Sequence, residues 1–402
     1  MALEKVMRVI SLGVGCLCCV FSWLPARSIS LPFREDLRDR GISTQLNFTG
    51  ETLSLVSGGI QPATHFNGLL HFHLGVNMEQ TMGWHGGSLQ ANVFYFQGND
   101  LSADFVGDFG VVSNILTPTE WNIFTVYLEQ VWIADNLWSR LGQLAVDDDF
   151  ATTETGALFL NANFGALPLI SANVAAPIFA LAAPGVVGRL RVSERFHVLL
   201  GVYTGDAGIA GASNHGFDWR LGGTVGYAVF LEGQVDYNAF DLPGILKVGG
   251  YHATGLFDDF ADGGTKRGNE AYYIAVEQSL LGNHWDEPKI QVFTRLGISG
   301  RKERNVVHAY AECGMQFKWP FLQSKEGAMG VACSFTEFGD SYVEAENLAG
   351  NRVTGQEAVL EFTYRLELAN EWYLQPDIQY IFDAHQARKD AWVVGLRTEM
   401  SF

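Results

Sequence analysis

From Thr44 onward, apolar and polar residues alternate with a period of two in segments of about ten residues, the length at which a tilted strand crosses a bilayer. Leu70, Phe72, Leu74, Val76 and Met78 alternate with His71, His73, Gly75, Asn77 and Glu79. Ala358, Leu360, Phe362, Tyr364, Leu366 and Leu368 share one face in the same way. The last segment sets Trp392, Val394, Leu396, Met400 and Phe402 against Gly395, Arg397, Glu399 and Ser401, with Thr398 the exception. The pattern predicts sixteen strands, near 44–57, 66–79, 88–97, 121–133, 137–146, 185–192, 196–204, 217–229, 243–254, 271–282, 288–299, 307–319, 327–338, 356–368, 372–382 and 391–402.

A soluble sandwich with its apolar face inward shows the same alternation, so the connections must decide. One set includes the tight turns Ala134-Asp135-Asn136, Ser193-Glu194-Arg195 and Ala369-Asn370, whereas the other holds the long loops 98–120, 147–184, 255–270 and 339–355. That asymmetry belongs to outer-membrane barrels. Only 230–242 is long on the short side. An open sheet edge in hydrocarbon leaves backbone groups unpaired, so the strands must close, and sixteen of them leave an aqueous lumen. The predicted fold is all-β: a 16-stranded antiparallel transmembrane β-barrel over 44–402, with a short helical or plug segment at 29–43. Within that segment, FREDLRDRG at 33–41 reads as charged helix at the channel mouth or, equally, as a frayed linker.

Residues 1–28 read as a cleaved secretory signal peptide: Lys5 and Arg8, an apolar stretch from Val9 to Leu24, and Ala26-Arg27-Ser28 as a small-x-small cleavage site. Beyond it no window approaches the ~20 apolar residues of a spanning helix. The 45 glycines, 13% aromatics and 11 prolines suit many short strands. Formal charge is −18, and losing residues 1–28 removes a net +2 and leaves −20. Such a balance argues against nucleic-acid binding and favours cations or neutral solutes over anions.

On the inner face, Glu129 falls opposite or one pair diagonal to Arg140 across the turn, and Glu277 with Arg295 stands in the same relation. These pairs either hold a transverse field that offers planar groups to sugar hydroxyls or simply tie strands together. Arg189, Arg191, Arg365 and Arg397 are further inward candidates. Phe94, Phe96, Tyr127, Trp138, Tyr203, Phe293 and Tyr373 fall on the inner parity beside them, and a sugar ring packs its C–H face on such rings. The loop 147–184, opening with Asp147, Asp148 and Asp149, is expected to fold inward and narrow the pore. Three carboxylates in a row lack the ligand spacing of a calcium site, and His71 with His73 lacks a third ligand, so neither metal nor cofactor is expected. Trp84, Trp121, Trp132, Trp372 and Trp392 sit near strand ends, as an interfacial girdle does. Cys313 and Cys333 mirror each other on the outer face, as two free thiols or a strained cross-strand disulfide.

In order along the chain, REDLRDRGI, TGETLSLVSGG, LSADFVGDFGVVSNI, YLEQ, RLGQLAVDDDF, LFLNANFG, APGVVGRLRV, GVYTGD, LPGILKVGGYHATGLFDD, FTRLGISG, EAVLEFTYRLEL, LQPDIQYIFD and VVGLRTEMSF make the sequence similar to the bacterial carbohydrate-selective porins of the OprB type. The resemblance covers most of the chain after residue 28 and is most specific in RLGQLAVDDDF followed by LFLNANFG. It implies an outer-membrane channel passing monosaccharides and similar small solutes by diffusion, with membrane lipid around it; no enzymatic activity is expected. The acidic excess, the apolar run near 173–184 and the cysteine pair depart from that pattern. A terminal Phe402 resembles the signal read by the barrel-assembly machinery. A general or cation-preferring porin shares the architecture; a hydrolase on the barrel rim lacks a nucleophile motif beside His215 or His252; a purely structural barrel is the fourth reading. Monomer and trimer both stay open.

Overall fold

The computed structural model describes residues 32–133, 136–211, 215–282, 288–318 and 327–402; the expected signal segment and the turn residues Ala134 and Asp135 lie outside them. Sixteen strands follow in order: β1 Ile42–Gly58, β2 Ala63–Asn77, β3 Gly87–Gln97, β4 Glu120–Val131, β5 Leu137–Leu144, β6 Ala183–Arg191, β7 Phe196–Thr204 and β8 Tyr227–Ala239, then β9 Leu242–Asp259, β10 Gly264–Gly282, β11 Pro288–Ser299, β12 Val307–Lys318, β13 Gly327–Phe338, β14 Gln356–Ala369, β15 Trp372–Phe382 and β16 Ala391–Ser401. Every strand pairs antiparallel with its sequence neighbours, and β1 meets β16 from Asn47 opposite Ser401 to Gly58 opposite Ala391. Closure satisfies the backbone groups that an edge would expose to lipid. The segment ahead of β1 is an eight-residue helix, α1 Pro32–Asp39, rather than a frayed linker. Arg34 donates from its guanidinium to the Thr44 carbonyl at 2.5 Å, tying the helix to the first strand.

Two boundaries differ from the sequence pattern. The segment expected at 217–229 lies about ten residues later, as β8, so the long connection is 205–226 and 240–241 is a tight turn. Alternation in 217–225 is produced by exposed apolar residues of that loop, Phe217, Trp219 and Leu221, which mimic one face of a strand. Conversely, 255–270 is not a loop: β9 and β10 extend to Asp259 and from Gly264 as a hairpin, whose turn places Lys266 2.9 Å from Asp262 and against Asp259.

The barrel exterior is apolar, with Leu141, Leu190, Leu200, Leu231, Ile274, Leu296 and Phe362 all exposed, as a lipid-facing surface requires. Trp84, Trp121, Trp132 and Trp392 are likewise exposed near strand ends. The interior is filled by chain that is not strand. Residues 145–182 fold into the lumen and bury Val146, Phe150, Leu167, Leu169 and Ile170 against Leu199, Tyr203, Phe230, Tyr251, Tyr273 and Tyr310 of the wall. The apolar run near 173–184 is part of this insertion, with Val174, Ala176, Ala180 and Ala182 buried. Residues 98–119 also enter, burying Leu101, Val106 and Val112 against β1, β14, β15 and β16.

Candidate functional site

The inserted loops are held by the wall's inward carboxylates. Glu361 of β14 accepts the backbone N–H groups of Leu160 and Asn161 at 2.6 and 2.9 Å. Glu357, two inward positions earlier, accepts from Phe109, Gly110 and His385 at 2.9, 2.8 and 2.8 Å. Glu277 of β10 takes the N–H of Thr155 at 2.7 Å, and Glu232 of β8 takes that of Ala151 at 2.9 Å. A short loop cannot pair its own amides, and a carboxylate offers two acceptor oxygens to them. Sequence reasoning placed Glu277 alone of these four. The signal that could have found the others is an inward-parity Glu with no basic residue opposite it on the neighbouring strands, at Glu232 opposite Leu199 and Gly249, and at Glu361 opposite Ala332 and Gln379.

Two arginines do the complementary work. Arg295 is fully buried, pairs with Glu312 at 2.5 Å and donates to the carbonyls of Ala151, Gly165 and Asn163 at 2.8, 2.7 and 3.2 Å. Its ion-pair partner is therefore Glu312 and not the expected Glu277. Glu277 lies opposite Phe293 and Arg295 opposite both Ala275 and Glu312, so the nearer carboxylate is on the following strand. Arg397 pairs with Glu51 at 2.7 Å and donates to Asn114 of the first inserted loop at 2.7 Å. Glu51 also accepts from Asn67 and from the Ser113 hydroxyl.

Among the cavities the loops leave open, two flank the acidic run. One, of about 680 Å³, lies between the inserted loops and is bordered by Leu69, Asn114, Ile115, Asp147, Asn163 and Phe179. The other, of about 590 Å³, lies against β4 to β9 and is bordered among others by Trp138, Arg140, Asp148, Asp149, Arg189 and Arg191. The acidic run therefore touches both: Asp147 faces the first and Asp148 and Asp149 the second. Asp147 is anchored by the Phe179 N–H, 3.0 Å from its Oδ2. Asp149 meets Arg140 at 3.0 Å, and Glu129 meets the same guanidinium at 2.9 Å. Glu129 and Arg140 are direct register partners, the closer of the two pairings the strand pattern allows. The guanidinium also lies over the rings of Trp138 and Tyr127, 4.2 and 5.0 Å from their centroids.

Confinement within the barrel pushes all three loop carboxyls up, Asp147 to about 6, Asp148 to about 7 and Asp149 to about 6. Each is raised further by a neighbouring carboxylate, whereas Arg140 opposes the rise at Asp148 and Asp149.

The aromatic candidates separate into two groups. Phe94 and Phe96 are buried under the loop, 5.3 and 5.7 Å from the Phe179 ring. Tyr203 packs on Phe230, and Phe293 on Phe159 and Phe164, again beneath inserted chain. These four have the expected inward parity but are covered by the loop. Tyr127 and Trp138 stay beside the second cavity. Near the short-turn end, Arg365 lies 3.5 Å over the Tyr373 ring and pairs with Glu399 at 2.9 Å. Arg189 and Arg191 project into the second cavity and are exposed. His71 and His73 bond to Asn92 and Gln90 at 2.8 and 3.0 Å. Cys313 and Cys333 are register partners on the outer face with sulfurs 3.5 Å apart and unbonded.

Comparison with known proteins agrees with this geometry. Porin B of Pseudomonas aeruginosa is 24% identical over 393 residues, spanning 87% of this chain and 84% of that one. The high-pH structure of Pseudomonas putida OprB superposes with a TM-score of 0.82 at 18% identity, covering 92% of this chain and 96% of the other. A mutant of the Rh. blastica porin matches more distantly, with a TM-score of 0.51 at 10% identity over 90% of this chain and 100% of its own. The profile of the carbohydrate-selective porin OprB family matches residues 66–402. With sixteen closed strands, an apolar exterior and a loop-narrowed lumen, the chain belongs to the OprB family of carbohydrate-selective outer-membrane porins.

Proposed function

We propose that monosaccharides and similar small solutes diffuse between the two lumen cavities past the Asp147–Asp149 run, with Arg140, Tyr127 and Trp138 forming the opposing surface. One observation carries this reading: the acidic run borders both cavities, so a solute moving from one to the other passes it. Fixed carboxylates beside a guanidinium offer acceptors and donors to successive hydroxyls, and the planar Arg140 fork is held in place against its two rings. Binding of this kind is brief, which a conducting channel needs. In planar bilayers, added glucose should lower single-channel current in a saturable way, and Arg140→Gln should weaken that block. Current indifferent to every sugar tested would overturn the proposal.

A cation preference is the second reading, favoured by the acidic run at the junction of the cavities. A reversal potential in a salt gradient tests it, and an anion preference would count against it. No hydrolysis of lipid or peptide is expected; such activity, lost in His252→Ala, would refute that. Export through cleavage after Ser28 fits the sequence of residues 1–28, and the mass of the mature protein tests it. Phe402 exchanges backbone hydrogen bonds with Leu46, its N–H donating at 2.8 Å, and so joins the seam between first and last strands. Its role as an assembly signal predicts that deleting Phe402 lowers membrane insertion more than it alters conductance of the inserted fraction.

A further inference from the structure

The second cavity has a wall whose charges are not those of the rest of the chain. Arg191 is the register partner of His197, His197 of Gln234, and Gln234 of Lys247. Four donor side chains thus lie in one row across β6, β7, β8 and β9, all bordering the cavity. Arg189 stands two residues from Arg191 on the same face and is the partner of Trp138 on β5.

Most charges in this lumen are spoken for. Arg140 is shared between Glu129 and Asp149, Arg295 holds Glu312, and Arg397 holds Glu51. His197 faces Asp236 at 3.3 Å, and Lys247 donates to the carbonyl and hydroxyl of Thr152 at 2.8 and 2.9 Å, with no carboxylate on it. Arg189 and Arg191 make no ion pair among the described residues, although the chain carries a formal charge of −18. Two like charges on one strand face repel, and a ligand anion bound between them removes that repulsion. Asp148 and Glu154 are the remaining carboxylates on the cavity lining, both contributed by the inserted loop rather than by the wall.

We propose that this wall is a binding site for acidic sugars of the uronate class, with the ligand carboxylate on Arg189 and Arg191 and its ring hydroxyls on Gln234, Lys247 and the loop carboxylates. The inference rests on the carbohydrate-passage reading and adds the ligand's charge to it. A guanidinium fork meets a carboxylate with two parallel hydrogen bonds, which a neutral hexose cannot supply. The cavity, at about 590 Å³, is of the size that encloses small ligands.

The test compares glucose with sodium glucuronate, which differs by a carboxylate in place of a hydroxymethyl group, as blockers of single-channel current. Sodium acetate serves as the anion without a sugar. Glucuronate should half-block at a concentration about tenfold below that of glucose, the gain expected from one added charge-assisted contact. R189Q/R191Q should erase that gap while leaving the glucose block in place. Block by glucose with no advantage for glucuronate would sink this inference and leave sugar passage standing. Acetate competing as well as glucuronate would also sink it, by reducing the site to general anion attraction. Absence of block by either sugar would overturn both. Because Arg189 and Arg191 are exposed in water, the double variant should insert normally, and heat-modifiable gel mobility verifies that the barrel is closed.

Discussion

Arg295 and Arg189 occupy the same inner face of one barrel wall, yet the first is fully buried among fixed partners and the second is exposed without an ion pair. Around Arg295, the β10 to β14 wall has become a protein interior, where loop amides end on Glu277 and Glu361 and loop carbonyls on Arg295. Around Arg189, the turn-side ends of β6 to β9 face an open cavity, whereas farther along the same strands Tyr203, Phe230 and Tyr251 pack on the loop. Residue type and strand parity are equal in the two places. The inserted loop decides which wall becomes structure and which is left to meet solutes.

The sharpest way to break that comparison is Arg295→Met. It strands Glu312 and three loop carbonyls without partners, and losing one member of a buried ion pair costs about 3–5 kcal/mol. The temperature at which the folded gel band is lost should fall markedly, and open-channel current should become larger and noisier as the loop loosens. Because the pair itself is costly to bury, R295M/E312M should recover much of the loss. A double variant as unstable as the single one would show that Arg295 acts through the loop carbonyls alone.

A second, smaller effect comes from Glu361→Ala, which removes the acceptor of the Leu160 and Asn161 amides. Each buried amide left unpaired costs about 1–3 kcal/mol. Protease accessibility near 155–165 should rise while the strands stay protected. Unchanged cleavage would place the anchoring of this segment on Asn161 and Asn163 instead, which bond to Gln379 and Ser334 at 3.0 and 3.1 Å.

The acidic run supplies a third test, in conduction rather than stability. With Asp147 and Asp149 raised to about 6 and Asp148 to about 7, the run is charged above these values and neutral below them. The cation-to-anion permeability ratio should therefore be highest near pH 8 and fall as pH drops towards 5. Asp148→Asn should flatten the upper part of that curve. A ratio constant across this range, in protein that still conducts, would assign selectivity to groups outside the run.

Much of this architecture is legible in the alternation, because a wall that is lipid on one side and water or loop on the other enforces a period of two. Glu129 facing Arg140 follows from it to within one pair. The failures have physical causes. Phe217, Trp219 and Leu221 alternate in an exposed loop, so β8 is misplaced by a pattern that carries no strand pairing. The β9–β10 hairpin outruns the apolar band, and Lys266 with Asp259 and Asp262 reads as loop because that part of the strands is not in lipid. Inward parity places Phe94 and Arg189 alike, but only the path of residues 145–182 shows that one is covered and the other open. The entry of residues 98–119 is invisible in sequence because its anchors, Glu51 and Glu357, lie far along the chain.

The smallest expected effect closes the comparison from the other side. Arg189→Gln removes a charge of the same kind, from the same parity of the same wall, as Arg295→Met does. It gives up no ion pair among the described residues and relieves repulsion from Arg191, so stability should change by no more than about 0.5 kcal/mol. Thermal loss of the folded band should be indistinguishable from that of the unaltered protein, while the current–voltage response to charged solutes shifts. If Arg189→Gln instead destabilised the barrel as strongly as Arg295→Met, the turn-side ends of β6 to β9 would be structural like the wall around Arg295, and the distinction between docked and open wall would fail.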